Sequence, residues 1–498
     1  MSISNVPSRA QRSRFAPAGR MSISDVPLRG QHLRSAPAAI VLASALAAAG
    51  CALTPRDLPQ EQDRLAAAGV AFEPPLAQRE LPQPRSANDW GGLVHRALLA
   101  NGELEAAYFE WKAAVENVTR ASGWPNTNVA GGYETMFDGA GAFSLGFDAM
   151  ENLAFPTKTR KAGEVALEEA RAAAEKFRAA KFALQRRVLE GWLEMVLAAE
   201  RERIQAQRRE LAGLTGLAGS AAITAGQAET AALQARLDET RSRNELASIG
   251  AELRQARAML ASLVVMEAEH IAMPSRLPAP RPVPSDAALL ATAASVNPDL
   301  AELAATLRAR DGQVDLARMQ WIPDISPSFS LEGLASEALG IMASLPTTIV
   351  EIRSSIAQAA ALRSSTAAKL RQTERDRTGA FLVALIALRN SERVRAFLEQ
   401  QVLPVADSLI VANRTTYVSG QTMLRDLAES YEALLATREE IAQAAVERER
   451  RVAELEEIAG VDMEAMIAGV AVATGDEPAA ARSLAAIAPP AIRNGGSR

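Results

Sequence analysis

From Pro156 to about Leu217 the sequence runs for about sixty residues with scattered glycines and no internal proline. Its apolar positions recur at helical intervals, and at about 1.5 Å per residue it makes a rod of roughly 90 Å. No globular domain is that wide, so such a helix must run along a coiled coil or a helical barrel. The low aromatic content, 4%, suits thin alanine-rich seams better than a bulky core.

The stretch before the rod keeps a different period. Asn126 to Glu151 alternates apolar with polar or small residues in two runs, with the turn signal Asp138-Gly139 between them. Val129, Tyr133 and Phe137 share one face of the first run, and Phe143, Leu145 and Phe147 one face of the second. Glu134, Ser144 and Asp148 fall on the opposite faces. A lone hairpin is barely stable in water, so this one needs further strands or another solvent.

An internal duplication supplies them. Asn101-Gly-Glu-Leu104 returns as Asn297-Pro-Asp-Leu300, Trp124-Pro125 as Trp321-Ile-Pro323, Phe155-Pro156 as Leu345-Pro346, and Ile223-Thr-Ala-Gly226-Gln227 as Tyr417-Val-Ser-Gly420-Gln421. The offsets drift between 190 and 198, as in a unit copied and trimmed in its loops. The second copy repeats the strand pair: Ile325, Phe329 and Leu331 on one face, then Leu339, Ile341, Ala343 and Leu345.

The organisation expected is a targeting segment at 1–50, an extended proline-rich strap at 51–89, repeat 1 at 90–265 with its hairpin at 126–151, a proline-rich linker at 266–296, repeat 2 at 297–459 with its hairpin at 325–345, and a loose tail at 460–498. One helix is expected over Trp90 to Ser122, and a kink at Pro404.

The only cysteine, Cys51, closes an apolar stretch, Ala38 to Gly50, that is too short to span a bilayer and follows Arg29 and Arg34. MSISNVP at the start recurs as MSISDVP, which makes Met21 an alternative start. The small residues before Cys51 resemble a bacterial lipobox, although Ala48 stands where a large residue is usual, and imply a lipid on that cysteine. Removal of 1–50 takes six arginines and one aspartate, leaving 48 basic and 58 acidic residues and a formal charge of −10. That balance argues against a nucleic-acid partner. The histidines, His32, His95 and His270, belong to no hydrolase, zinc-protease or phosphate-loop motif. Met266, His270 and Met273 are spaced like soft metal ligands, but Pro274 ends the helix there, and they read as a helix end rather than a metal site. No cofactor is expected.

Four strands of about ten residues, apolar on one face, have the length and alternation of transmembrane β-strands. They cannot close a barrel alone, and open edges are not tolerated in hydrocarbon. Two chains would give about eight strands and a filled interior, three about twelve and a pore. The fold class expected is therefore mainly α with a membrane β-barrel.

At this point the sequence resembles the TolC-like outer-membrane efflux family, over nearly the whole mature chain and including the duplication. The strongest local element is Tyr417-Val-Ser-Gly420-Gln-Thr-Met-Leu-Arg-Asp426-Leu-Ala-Glu429, similar to the family's helix-turn-helix tip. The resemblance implies a homotrimer with a shared 12-stranded barrel and a trimeric α-helical barrel, gated by Tyr417, Asp426 and Glu429 at its periplasmic end. It places Val129, Tyr133, Phe137, Phe143, Leu145, Phe147, Phe329 and Leu331 against outer-membrane lipid. It implies contact with a periplasmic adaptor through Gly226, Gln227, Gly420 and Gln421, and an inner-membrane pump as the source of energy. Repeat 1 departs from the tip pattern with Ile223 for the aromatic and Ala232 for the aspartate, and Thr422 stands where the family often has a basic residue. Phe155-Pro-Thr-Lys158-Thr-Arg160 resembles a sequence of the metal-cation branch, with Thr157 in place of glycine. The rival reading is a lipid-anchored periplasmic coiled-coil scaffold without a pore.

Overall fold

A computed structural model describes residues 53–123, 128–135, 141–148, 156–224, 229–332, 336–344 and 348–463. The targeting segment, Cys51, Gly226, Gln227, Phe137, the Asp138-Gly139 turn and the tail beyond 463 lie outside them.

The strap is not extended throughout. Leu58–Phe72 forms α1, with Pro59 in its first turn and Leu58, Leu65, Ala68 and Phe72 buried. These apolar residues follow a helical period that the flanking prolines obscure in the sequence. Phe72 stacks on Tyr108 at 5.1 Å and meets Phe177 edge-on at 5.9 Å, and Glu61 accepts from Trp111 Nε1 at 3.0 Å. Beyond it Arg79 donates to the carbonyls of Phe72, Pro74 and Leu99, pinning the chain to the helical body.

Trp90 to Ser122 is two helices, α2 (Trp90–Ala100) and α3 (Gly102–Ala121). The break is Asn101, whose side chain accepts from the backbone N–H of Glu103 and Leu104 and so caps α3. Repeat 2 is built the same way. Asn297 accepts from Leu300 N and caps α7 (Pro298–Met319), and the helix before it, α6 (Asp286–Val296), lies inside the expected linker. Ser285 caps α6, so the irregular segment ends there. The duplicated Asn-x-acid-Leu motif is thus a helix cap, with Glu103 or Asp299 in the first turn.

The strands β1 (Asn128–Thr135), β2 (Gly141–Asp148), β3 (Asp324–Glu332) and β4 (Ser336–Ser344) form one antiparallel sheet in the order β1-β2-β3-β4. The rod is α4 (Pro156–Thr224), 69 residues long, or about 100 Å. It packs against α3, α7, the returning helix α5 (Glu229–Val264) and α10 (Leu424–Ala459). Its buried stripe runs from Val165 through Ala174, Phe177, Leu184, Val188 and Trp192 to Ile204. Gly312 lets α7 close on it, since a Cβ there would lie 2.4 Å from Val165 Cγ2.

Repeat 2 carries α8 (Ile349–Phe397), a π-helical turn at Leu398–Val402 and α9 (Leu403–Val418). Pro404, in the first turn of α9, has no N–H and would clash with the carbonyl four residues back, and the wider turn removes that clash. The segment between repeats is clamped by Arg281, which bonds Glu449 and Glu456 of α10 and lies over the Trp90 ring, 5.1 Å from its centroid.

Candidate functional site

Two regions carry the functional expectations: the sheet and the turn between α9 and α10. In the sheet, Val129 stands opposite Phe147, Phe147 opposite Phe329 and Phe329 opposite Leu339. Directly opposed residues share a face, so one apolar row crosses all four strands. Tyr133 opposes Phe143 on that face, and Leu145 opposes Leu331, whose row ends on Glu337. The other face carries rows of small and polar residues, Gly132, Ser144, Glu332 and Ser336, and Ala130, Gly146, Ser330 and Ala338. The register therefore gathers the expected lipid-facing residues of both repeats onto one face, Phe137 lying outside the described residues. Among the described residues, β1 and β4 each pair on one side only.

The base of the sheet is tied across the repeats. Lys158, in the first turn of α4, donates at 2.7 Å to both Ile322 O and Asp324 Oδ1 at the start of β3. Sequence reasoning missed this tie, because the partners of Lys158 lie more than 160 residues away.

At the other end, Gly420 has φ +75°, a conformation that costs glycine little. Its N–H bonds Tyr417 O at 3.0 Å and Gln421 N bonds Thr416 O at 2.9 Å, closing α9 in a Schellman-like cap. Thr422, at the position of the family's basic residue, shares a hydroxyl hydrogen bond of 3.0 Å with Thr416 across the turn. Asp426 accepts from Met423 N at 3.1 Å, capping α10, and Glu429 pairs with Arg425 at 2.9 Å. The two carboxylates expected at the gate thus already have local partners within one chain. Tyr417, Val418 and Met423 are exposed around them.

A feature that sequence reasoning missed lies between these ends. Leu382, Val383, Ile386 and Phe397 on α8 and Val405, Leu409 and Val411 on α9 are all exposed. They leave an uncovered apolar side on the second long helix. His270 sits 3.4 Å from Glu267, exposed. No described helix is long and apolar enough to cross a membrane.

No protein-family model matches the chain, and no curated protein matches its sequence. Solved structures do match. The outer-membrane channel OprN is 18% identical with a TM-score of 0.64, over 80% of this chain and 96% of its own. The outer membrane protein VceC of Vibrio cholerae is 17% identical with a TM-score of 0.64, over 76% of this chain and 99% of its own. The CmeC outer membrane channel of Campylobacter jejuni is 15% identical with a TM-score of 0.64, over 78% and 92%. The chain has the fold of these outer-membrane proteins, the TolC-like fold.

Proposed function

We propose that the chain is the outer-membrane channel of a three-part efflux system, working as a homotrimer whose three sheets close into one 12-stranded barrel. The observation that carries this reading is the sheet: four strands with an apolar row in register across both repeats and an open edge at each end. Open edges in hydrocarbon must be paired, and neighbouring copies offer the same edges. The uncovered apolar side of α8 and α9 gives the helical body a corresponding need for a neighbour. The fold shared with OprN, VceC and CmeC, all outer-membrane proteins by description, supports the location.

The protein is then a passive, non-enzymatic conduit. The turn at Gly420 forms its periplasmic entrance, where a periplasmic adaptor coupled to an inner-membrane pump docks. Opening moves Asp426 and Glu429 out of a ring around the axis. Lipid on Cys51 anchors the strap, and metal cations are the substrate class suggested by Phe155 to Arg160. Planar-bilayer conductance tests the reading: discrete channels are expected, enlarged in the Asp426→Asn, Glu429→Gln variant. A purified oligomer that never conducts in either form supports the scaffold instead. For the anchor, Cys51→Ser must change mature mass and membrane attachment.

A further inference from the structure

The largest unexplained charge assembly lies where the strap meets the base of the sheet. Leu53 N bonds Ser122 O at 2.9 Å, which holds the strap beside the end of α3, just ahead of β1. There a cavity of about 620 Å³ opens between the strap, the first turns of α4 and the later part of α7. Five basic side chains line it: Arg56, Arg160, Lys161, Arg171 and Arg308. Only three carboxylates do, Asp57, Glu164 and Glu168, so the lining holds two positive charges in excess.

The pairing shows where that excess sits. Glu168 is shared by Arg171 and Arg308, both at 2.6 Å, and Arg171 also reaches Asp57 at 2.9 Å. Glu164 is shared by Arg160 at 3.4 Å and Lys161 at 3.5 Å, and Asp315 takes Lys161 from outside the lining at 3.3 Å. Arg56 makes no ion pair among the described residues and is exposed. Guanidinium groups offer paired donors that match phosphate oxygens, and a walled cavity focuses their field.

We propose that this cavity binds a phosphate group, supplied by an anionic lipid headgroup. The phosphate chemistry rests on the cavity alone, while the lipid source rests on the membrane placement proposed above: the cavity sits at the foot of the sheet, where headgroups would lie. A lipid held there would fix the strap, and with it the position of Cys51, at the membrane surface.

The experiment uses the full-length protein, delipidated in detergent. Native mass spectrometry with dioleoyl phosphatidylglycerol is expected to show about one retained lipid per chain, and dioleoylglycerol, which lacks the phosphate, none. Calorimetry with inorganic phosphate then separates the sources. Binding of both probes, or of the phospholipid alone, supports the proposal, whereas inorganic phosphate without phospholipid overturns the lipid source. Arg56→Glu with Arg308→Glu is expected to weaken phospholipid binding at least tenfold, with Arg243→Glu on α5 as an unaffected control. If the double variant does not fold, Arg56→Gln breaks no ion pair and is expected to weaken binding at least threefold. Equal retention of the two lipids, or binding unchanged in the arginine variants, overturns the site. Conductance is measured separately, so a failed site leaves the channel reading standing and a failed channel leaves the phosphate result standing.

Discussion

Replacing Arg281 by methionine removes the charge that clamps the two repeats together while keeping a side chain of similar bulk beneath Trp90. Arg281 Nε donates to Glu449 Oε2 at 2.8 Å, and its Nη1 reaches both oxygens of Glu456, at 3.2 and 3.0 Å. Both glutamates are only 2% exposed. Arg448 contributes a second cation to Glu449 and donates to Arg281 O at 2.8 Å. Among the described residues, Glu456 keeps the Met463 N–H, at 3.2 Å, as its hydrogen-bond donor once Arg281 is gone. Stranding a buried charge in this way costs about 3–5 kcal/mol.

Arg276 lies exposed in the same segment, and Arg281 itself precedes a proline, which trypsin does not cut. Cleavage at Arg276 therefore reports opening of the clamp. At about 1.4 kcal/mol per factor of ten, the variant should be cut at Arg276 roughly a hundred to a few thousand times faster at pH 8. Adding Glu449→Gln and Glu456→Gln removes the stranded charges and should restore most of the protection. Burial raises the Glu456 pKa to about 7 against the opposing charge of Arg281, and losing that charge raises it further. A carboxylate with a raised folded pKa destabilises the fold as pH climbs from its unfolded value through its folded one. Urea unfolding followed by circular dichroism should therefore show a larger deficit for Arg281→Met at pH 8 than at pH 5. Wild-type cleavage at Arg276, or a deficit independent of pH, would refute the clamp.

In the wild type the same linkage has the same sign: the contribution of Glu456 is present below its ordinary pKa of 4.5 and lost as pH rises through about 7. By about 1.4 kcal/mol per unit, stability should fall by up to about 3 kcal/mol between pH 5 and pH 8, and Glu456→Gln should flatten that slope in urea titrations. Val265, with φ +50° just past α5, holds a left-handed backbone that costs a β-branched residue about 1–2 kcal/mol. Val265→Gly should raise the unfolding midpoint, and a lowered one would show that the strain is absent. Gly312→Val forces a side chain into Val165 and should cost about 1–3 kcal/mol, read as a lowered melting temperature, whereas an unchanged one would mean that α7 does not press on α4 as described.

What the sequence declared was whatever had a long period or a strong local signal. The 69-residue rod, the two strand pairs, the glycine turn at Gly420 and the duplication were all legible, because periodicity and turn chemistry are local. Helix α1 was hidden by flanking prolines, and α6 by its neighbourhood in a proline-rich stretch. The break at Asn101 was hidden because the apolar stripe continues across it, although Asn-Gly-Glu is itself a cap signal that could have been read. Lys158 with Asp324, and Arg281 with Glu449 and Glu456, span more than 160 residues each, and no local pattern pairs them. At the turn, the resemblance marked Asp426 and Glu429 as gate residues, while their local partners, the end of α10 for Asp426 and Arg425 for Glu429, came only with the geometry.

The duplication also turns the exposed side of repeat 2 into an argument about assembly. The tips at Gly226 and Gly420 are 194 residues apart, and upstream of the π turn, which adds a residue, an offset of 193 aligns the two long helices. Val188, Trp192 and Met195 then correspond to Phe381, Leu385 and Leu388, and all six are buried. On the adjoining face, Leu189 and Leu193 correspond to Leu382 and Ile386; the first pair is buried and the second exposed. In repeat 1 that face lies beside Trp90 and the segment Arg276 to Pro282, which line a common cavity with it. Among the described residues, no such segment covers the corresponding face of repeat 2. Among the described residues this apolar face is covered in one copy and exposed in the other, and a neighbouring copy in the proposed homotrimer would cover it. The joining segment clamped by Arg281 is thus what covers this face in repeat 1.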